Sequence, residues 1–514
     1  MKKYSDLEYL KLSKSQKFLY SLGSFFAAIP RAVANLFVGI WKALKKLGLG
    51  IGREFADIVS TFKNGDWKTR GSYLVMGLGS IARGQVLRGL LFLIFELVFI
   101  VYMVLPQGGF FWLGKLDNLG DQGVHKTTEV VFGQTVEKVV YGDNSFRILL
   151  YGVLTIFFIV AFLYTWRLNV KQNKLAQEYE AQGRRLNTGK DDLRALVDEQ
   201  FYKTLLALPL TGILVFTVMP IVFMILVAFT NYSGTYDGLN NLFTWVGLDN
   251  FNTMLGWSSG GTAYSAAFGE ILTWTLIWAF FATFTNYFLG MFVAMMINKK
   301  GIKLKKVWRT ILVLTIAIPQ FISLLYVSKM FAKNGLINLS LINLGWITPG
   351  HELPFWEDPT WARITVILVN IWIGIPYLML IATGILMNIP ADLYESSRID
   401  GANAWQQYTK ITLPYMLFIT GPYLLTSFTG NMNNFNVIFL LTGGAPTNAA
   451  LSTAAGSVGH TDLLITWLFK ITTGAESQYY MASVVGILVF VVVAIISLVV
   501  YNLLPSIKNE EDFQ

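Results

Sequence analysis

The 514-residue sequence contains no cysteine, which excludes disulfides and thiolate metal sites. Charge is also scarce: 14% of residues are Asp, Glu, Lys or Arg, against about 25% in soluble domains. Its three histidines, His125, His351 and His460, lie far apart in polar segments, so no metal cluster is expected. There is no GxxxxGK[ST] phosphate loop and no HExxH pair. The first 20 residues lack the continuous apolar run and cleavage site of a secretory signal. These absences leave little with which this chain could catalyse a reaction.

What is abundant is apolar surface. Hydrophobic residues make up 54% of the chain and aromatics 15%, more than a soluble core can hide, so the excess calls for lipid. The formal charge of +9 does not indicate nucleic-acid binding, because the cations cluster beside apolar runs in the positive-inside pattern. The apolar runs predict an all-α polytopic membrane protein with eight spans: 87–105, 146–166, 201–229, 268–297, 307–327, 363–387, 411–429 and 482–504. Pro209 and Pro220 should kink the third span, and Pro319 should break the fifth. Glu96, inside the first span, should face protein or water, either as a functional group or as a paired packing residue.

Orientation follows from residues 298–309, NKKGIKLKKVWR, which hold six basic residues and no acid. This loop is expected on the cytoplasmic side. Counting spans in either direction then puts both termini inside and 231–267, which has no basic residue, outside. Residues 1–86 carry 14 Lys or Arg against 5 acids. Within them Phe25, Phe26, Ile29, Val33, Phe37, Ile40, Trp41 and Leu44 recur at three- and four-residue steps. That spacing fits an amphipathic helix either lying on the inner leaflet or packed on the protein. The organisation is therefore a cytoplasmic region at 1–86, two spans with short loops at 87–200, a six-span core at 201–504 and a cytoplasmic tail at 505–514. The external segment 106–144 is short enough for a small cap. Residues 167–200 should be helical, with Gly183 and Gly189 as breaks.

One polar segment, 388–414, stands between two long apolar runs and falls on the cytoplasmic side by the span count. Asn388 or Asp392 would cap a short helix, with Pro390 just inside its start. Gly401 would permit a turn, and Leu393, Ile399 and Trp405 offer apolar anchors beside Glu395, Arg398 and Asp400. Such a helix, rooted in two spans, can enter a groove on a partner; on composition alone a surface loop without a partner is the favoured reading.

The segment resembles the EAA loop of permease subunits of ATP-driven importers. Glu395-Ser396-Ser397 stands where that family has Glu-Ala-Ala; Asp400-Gly401-Ala402 and Ile411-Thr412-Leu413-Pro414 match in order and spacing. The two serines depart from the usual alanines. The likeness extends over 201–504 to binding-protein-dependent sugar permeases, especially the larger, MalF-like subunit of maltose/maltodextrin importers, through 220–232, 441–446 and 461–464. It implies a type I importer fold, with Glu395, Ser396, Ser397, Arg398, Asp400, Gly401 and Ala402 as the coupling element. The implied partners are a second, MalG-like permease subunit, two copies of a cytoplasmic ATPase and an extracytoplasmic sugar-binding protein. This chain would bind no cofactor; ATP and Mg would be used by the ATPase subunit. The short 106–144 segment would suit a Gram-positive plasma membrane and a lipid-anchored binding protein.

A sugar path needs aromatic faces for pyranose rings and amides or hydroxyls for their substituents. Tyr415, Tyr423, Thr426, Ser427, Phe428, Asn431, Asn433, Asn434, Phe435 and Asn436 supply both around the seventh span, although Asn and Thr inside a bundle also join helices. The resemblance singles out Tyr423, Ser427, Asn431 and Asn434. Asn436 belongs to the same path, and Asn370, Trp372 and Tyr377 on the sixth span complete the candidates. A membrane enzyme is disfavoured by the lack of a catalytic cluster, which leaves two rival readings, an ion-coupled secondary sugar transporter and a non-transporting membrane scaffold. The first would want charges inside the spans and an inverted repeat; only Glu96 lies deep in a span. Association with an ATPase separates both from the importer.

Overall fold

The computed structural model describes residues 14–131, 134–236, 242–258, 261–299, 301–451, 456–474 and 476–503. The tail expected at 505–514 and the first 13 residues of the amino-terminal region lie outside the described residues. In chain order the main helices are α1 (Lys14–Asn64), α2 (Val86–Val104), α3 (Ser145–Ala181), α4 (Phe201–Val227), α5 (Thr262–Asn298), α6 (Lys305–Ala317) and α7 (Gln320–Met330). They continue with α8 (Pro359–Leu386), α9 (Ala391–Ile399), α10 (Ala404–Met432), α11 (Phe435–Leu441), α12 (Leu464–Thr473) and α13 (Tyr479–Leu503). Helix prevails because lipid offers no hydrogen bonds, so each span must satisfy its own backbone.

Among the described residues seven helices are long and apolar enough to cross a membrane, and an eighth crossing is reached only by counting α6 and α7 together. That pair refines the fifth expected span: its two halves meet at 90°. Pro319 is the cause. It forces Ile318 out of the helical region, to φ −81° and ψ 128°, and then stands at the N-cap of α7. The third span accommodates its prolines differently. Between Pro209 and Pro220 the helix widens into a π-turn at Leu214–Val218, which absorbs the backbone donor that Pro220 lacks.

The chain divides into two compact units. In Gly39–Asn250, α2 and α3 meet through aromatic rings. Phe99 stacks on Phe162 at 3.9 Å between centroids, and the hydroxyls of Tyr102 and Thr155 share a hydrogen bond of 2.7 Å. Glu96 is buried and accepts a 2.8 Å hydrogen bond from the Met76 backbone N–H. It is thus a packing residue that satisfies the apolar 72–81 stretch. Helix α3 ends at Ala181, followed by Gly183 at φ +65°; a short helix then begins at Gly189. The 106–144 segment holds a short helix, Gly109–Gly114, and an antiparallel hairpin of β1 (Val124–Val131) and β2 (Gln134–Tyr141). This hairpin is the exception to an all-α fold, and its Val- and Thr-rich alternation is what a strand needs.

The other unit, Met1–Val38 with Phe251–Gln514, is organised on α5 and α8. Small residues let them approach: a Cβ on Gly290 would lie 2.7 Å from Leu378 Cβ, and one on Gly374 would run into the Asn286 amide. Trp278, Met291, Val366 and Met379 are buried in this packing. Helix α10 joins α5 through polar contacts: Tyr287 and Thr420 share a hydroxyl hydrogen bond of 2.8 Å, and Trp278 Nε1 donates to the Asn431 carbonyl at 3.1 Å.

Candidate functional site

A cavity of about 360 Å³ opens among α5, α8, α10 and the α6–α7 break. Its wall includes Tyr377, Tyr423, Ser427 and Asn431 from the sequence candidates, together with Asn370 and Trp372. The Pro319 bend contributes Gln320 and Ser323, which continue past it into α7. No charged side chain is among the described lining residues.

Two amides stand out. Asn286 and Asn370 are both about 95% buried, at 6% and 5% exposure, yet Oδ1 of Asn286 and Nδ2 of Asn370 have no hydrogen-bond partner. A buried amide left unpaired costs about 1–3 kcal/mol, so these groups suit a ligand able to accept and donate. Asn431 is divided between roles: its Nδ2 donates to Thr283 Oγ1 at 3.0 Å, joining α10 to α5, while the residue also lines the cavity. Two other sequence candidates are elsewhere. Asn434 caps α11, accepting from Val437 N–H at 3.4 Å, and Asn436 is exposed on α11; neither lines the cavity. Sequence reading passed over Asn286, Gln320 and Ser323. An amide in the middle of an apolar span, and polar residues straight after a span-breaking proline, were the available signals.

The polar insert folds as an elbow. Helix α9 runs Ala391–Ile399; its N-cap position is taken by Pro390 without a side-chain cap, so neither Asn388 nor Asp392 serves as expected. Pro390 lies outside the helix because its missing donor and extended ψ of 130° suit the boundary. The other end closes tightly. Ala402 N–H donates to the Ser397 carbonyl at 2.9 Å and Gly401 N–H to the Arg398 carbonyl at 3.0 Å, with Gly401 at φ +78°. This is the six-to-one and five-to-two pairing of a Schellman turn. A Cβ at Gly401 would meet nothing within 4 Å in this chain, so the glycine is required here for its backbone angle.

Asn403 then caps the next helix, accepting from Gln406 N–H at 2.9 Å while Gln406 Oε1 accepts from Asn403 N–H at 2.8 Å. That helix does not stop at the membrane edge. It runs through a π-turn at Tyr408–Thr412 into the seventh span, making α10 continuous from Ala404 to Met432. The two serines that replace alanines both hydrogen-bond. Ser397 Oγ accepts from Gln407 Nε2 at 2.8 Å and donates to the Tyr394 carbonyl at 2.9 Å; Ser396 Oγ donates to the Asp392 carbonyl at 2.8 Å. Tyr394 and Thr412 share a hydroxyl hydrogen bond of 2.8 Å, so α9 is tied directly to the base of α10. Outward, Ile399 is 88% and Trp405 70% exposed. Glu395, Arg398 and Asp400 are exposed and form no ion pair among the described residues.

The matched stretches 441–446 and 461–464 meet in a third polar cluster. Asp462 accepts from Gly459 N–H at 2.7 Å, Thr466 Oγ1 at 2.9 Å and Lys470 Nζ at 2.7 Å. Burial pushes its carboxyl above the usual aspartate range, opposed by Lys470. Gly444, at φ +91°, passes so close that a Cβ there would strike this carboxylate. The arrangement is a fastening for the loops between α11 and α12. Among the described residues no group of three or more His, Asp or Glu could hold a metal ion.

Residues 286–509 match the family of binding-protein-dependent transport system inner membrane components. The maltodextrin transport system permease protein MalC of Streptococcus pneumoniae is 33% identical over 453 residues, covering 85% of this chain and 96% of that protein. The maltodextrin transport system permease protein MdxF of Bacillus subtilis is 32% identical, covering 85% and 95%. The galactooligosaccharides transport system permease protein GanP of Bacillus subtilis is 31% identical, covering 85% and 97%. With the bent span, the elbow between two spans and full-length relatives of this kind, the chain belongs to the family of ATP-driven sugar-importer permease subunits.

Proposed function

We propose that this chain forms one half of the translocation path of an importer for neutral oligosaccharides of the maltodextrin type. The observation that carries the reading is the cavity. Aromatic rings from Trp372, Tyr377 and Tyr423 face the same space as the amides of Asn286, Asn370 and Asn431 and the hydroxyls of Ser323 and Ser427, with no charged group beside them. Rings stack on sugar faces, amides and hydroxyls pair with sugar hydroxyls, and the lack of cations disfavours phosphorylated substrates. Relatives named for maltodextrins and for galactooligosaccharides have nearly equal identity to this chain. The choice of glucan therefore rests on the resemblance described above and on transport measurements.

In this reading the elbow is the coupling element. Ile399 and Trp405 enter a groove on a cytoplasmic ATPase. Glu395, Arg398 and Asp400 form the polar rim, with Ser396, Ser397, Gly401 and Ala402 shaping the turn. A second, MalG-like permease supplies the other half of the path. Two ATPase copies consume Mg-ATP, and an extracytoplasmic sugar-binding lipoprotein delivers substrate. The chain sits in the plasma membrane of a Gram-positive bacterium with both termini inside, and Asn434 and Asn436 act at the outer end of the path. The functional division is the amino-terminal region 1–86, spans at 87–200, the permease core at 201–504 with its 388–414 loop, and the tail at 505–514.

The test is uptake by the reconstituted complex from a panel of labelled sugars. ATP-dependent uptake of neutral α-glucans, with phosphorylated sugars excluded, is expected. Uptake driven by an ion gradient without ATP, or no uptake with no ATPase associated, would overturn the assignment.

A further inference from the structure

The cytoplasmic part of α1 has three distinct edges, and each has a different environment. At 100° per residue, Ile40, Leu44, Leu47, Ile51 and Phe55 fall within an arc of roughly 80°. All five are exposed, between 47% and 68%, while Phe62, in line with them, packs edge-on against Tyr73 at 5.2 Å. A second edge is fixed to protein. Glu54 accepts from Arg167 Nε at 2.7 Å and Lys171 Nζ at 2.8 Å, while Asp57 pairs with Arg167 and with Lys174 Nζ at 2.7 Å. Tyr73 donates to the Ile58 carbonyl at 2.8 Å, and Arg70 closes the helix end on the Phe62 and Lys63 carbonyls at 3.0 and 2.7 Å. The third edge carries Lys42, Lys45, Lys46 and Arg53, all exposed and none in an ion pair among the described residues.

The level at which the helix is fixed matters. The apolar run of α3 ends at Trp166, and Arg167 is the first charge after it. A cation at that position marks the headgroup region of the inner leaflet. Glu54 and Asp57, both bound to Arg167, set this turn of α1 at the depth of Arg167, and the contacts of Asp57 with Lys174 and of the Asn64 carbonyl with Gln177 carry the end of the helix further along α3. Their charges are already matched by Arg167, Lys171 and Lys174, which leaves the four cations on α1 uncompensated.

We propose that residues 39–64 lie along the inner bilayer surface and bind anionic lipid, with the apolar stripe among the acyl chains and Lys42, Lys45, Lys46 and Arg53 on phosphate headgroups. Apolar area and positive charge act together in such surface helices, and the basic residues give them a preference for anionic membranes.

The chain has no cysteine, so a single introduced cysteine carries a unique label. Full-length Leu44→Cys, Phe55→Cys and Ser60→Cys variants, bimane-labelled, would be placed in nanodiscs of phosphatidylcholine with or without phosphatidylglycerol, each containing spin-labelled lipid. Quenching at Leu44 and Phe55 should exceed that at Ser60, on the polar side, by roughly threefold. It should fall when phosphatidylglycerol is omitted, when ionic strength is raised about tenfold, or when Lys42, Lys45 and Lys46 are all changed to Glu. Should that variant not assemble, the Lys→Gln triple variant and the salt series on the unsubstituted helix provide the same readout. Equal quenching at all three sites, protection of Leu44 from both lipid and aqueous quenchers, or quenching indifferent to phosphatidylglycerol and salt would each overturn the proposal.

Discussion

The cavity and the elbow hold their polar groups in opposite ways. In the elbow the polar groups are paired and the large apolar ones project: Gly401 and Ala402 satisfy the end of α9, Asn403 and Gln406 satisfy the start of α10, and Ile399 and Trp405 extend into solvent. In the cavity buried side chains are left short of partners, as with Asn286 Oδ1 and Asn370 Nδ2. A rigid projection with large exposed anchors suits a protein partner, whose affinity comes from a few deeply inserted residues. A recess with unpaired buried amides suits a small polar ligand, which completes their hydrogen bonds. Substitutions that disturb one region and spare the other test that division.

The largest effect should come from Gly401→Val. A β-branched residue at φ +78° is strained by about 1–2 kcal/mol, and the two closing hydrogen bonds contribute ~0.5–1.5 kcal/mol each. A total near 3 kcal/mol corresponds to a roughly hundredfold fall in coupled uptake and ATPase association. Gly401→Asn, which tolerates the left-handed region, should retain most activity. If both variants transported normally, the elbow would not be the coupling element. Next in size is Trp405→Ala. With 70% of the indole exposed, its removal should leave the subunit folded and weaken ATPase association by about 2 kcal/mol, roughly thirtyfold, as read by co-purification and titration of the ATPase. Sugar affinity of the cavity should be unchanged.

The sequence made the elbow more legible than the cavity, for a physical reason. An interrupted apolar pattern, a glycine at a turn and a polar run between spans are local signals, and they located 388–414 and Gly401 without knowledge of any other helix. Continuity of α10 through Tyr408–Thr412 was harder to see because Lys410 and its polar neighbours look like loop, and the π-turn leaves no compositional mark. The cavity joins residues about 145 positions apart, from Asn286 to Asn431, across five helices. Tyr377 on the sixth span and Tyr423, Ser427 and Asn431 on the seventh all line the cavity, and their aromatic, hydroxyl and amide groups are the types that suit sugars. Asn286 was missed because its role depends on Gly374 of a different helix. The spans themselves followed from apolar length alone, apart from the 90° turn at Pro319, where sequence indicates a break but carries no angle.

Asn370→Leu sharpens the comparison from the other side. Its Nδ2 is buried and unpaired, so replacing the amide with an apolar group of similar size should not lower thermal stability and should raise it slightly. Apparent sugar affinity should fall about tenfold, near 1.4 kcal/mol, while ATPase association stays intact. Stability lost together with transport would mean that the amide serves packing, and the division between regions would weaken.

The smallest effect is expected where the sequence departs from the family pattern. Returning Ser396 and Ser397 to alanine removes two unlike interactions. The Ser396 hydroxyl bonds back to the carbonyl four residues earlier, which gives a helix little and tends to bend it. Its loss should be neutral, with alanine's higher helix propensity as a partial gain. The Ser397 hydroxyl receives Gln407 Nε2, and that hydrogen bond links α9 to α10 across the turn. Removing it costs about 0.5–1.5 kcal/mol of elbow rigidity, although Gln407 keeps a second acceptor in the Tyr394 carbonyl at 3.2 Å. Single substitutions should therefore separate: Ser396→Ala transports normally, and Ser397→Ala loses about threefold in uptake at unchanged sugar affinity. If the two behaved alike, docking would depend only on small side chains at these positions, and the link between α9 and α10 would rest on the Tyr394–Thr412 hydrogen bond instead.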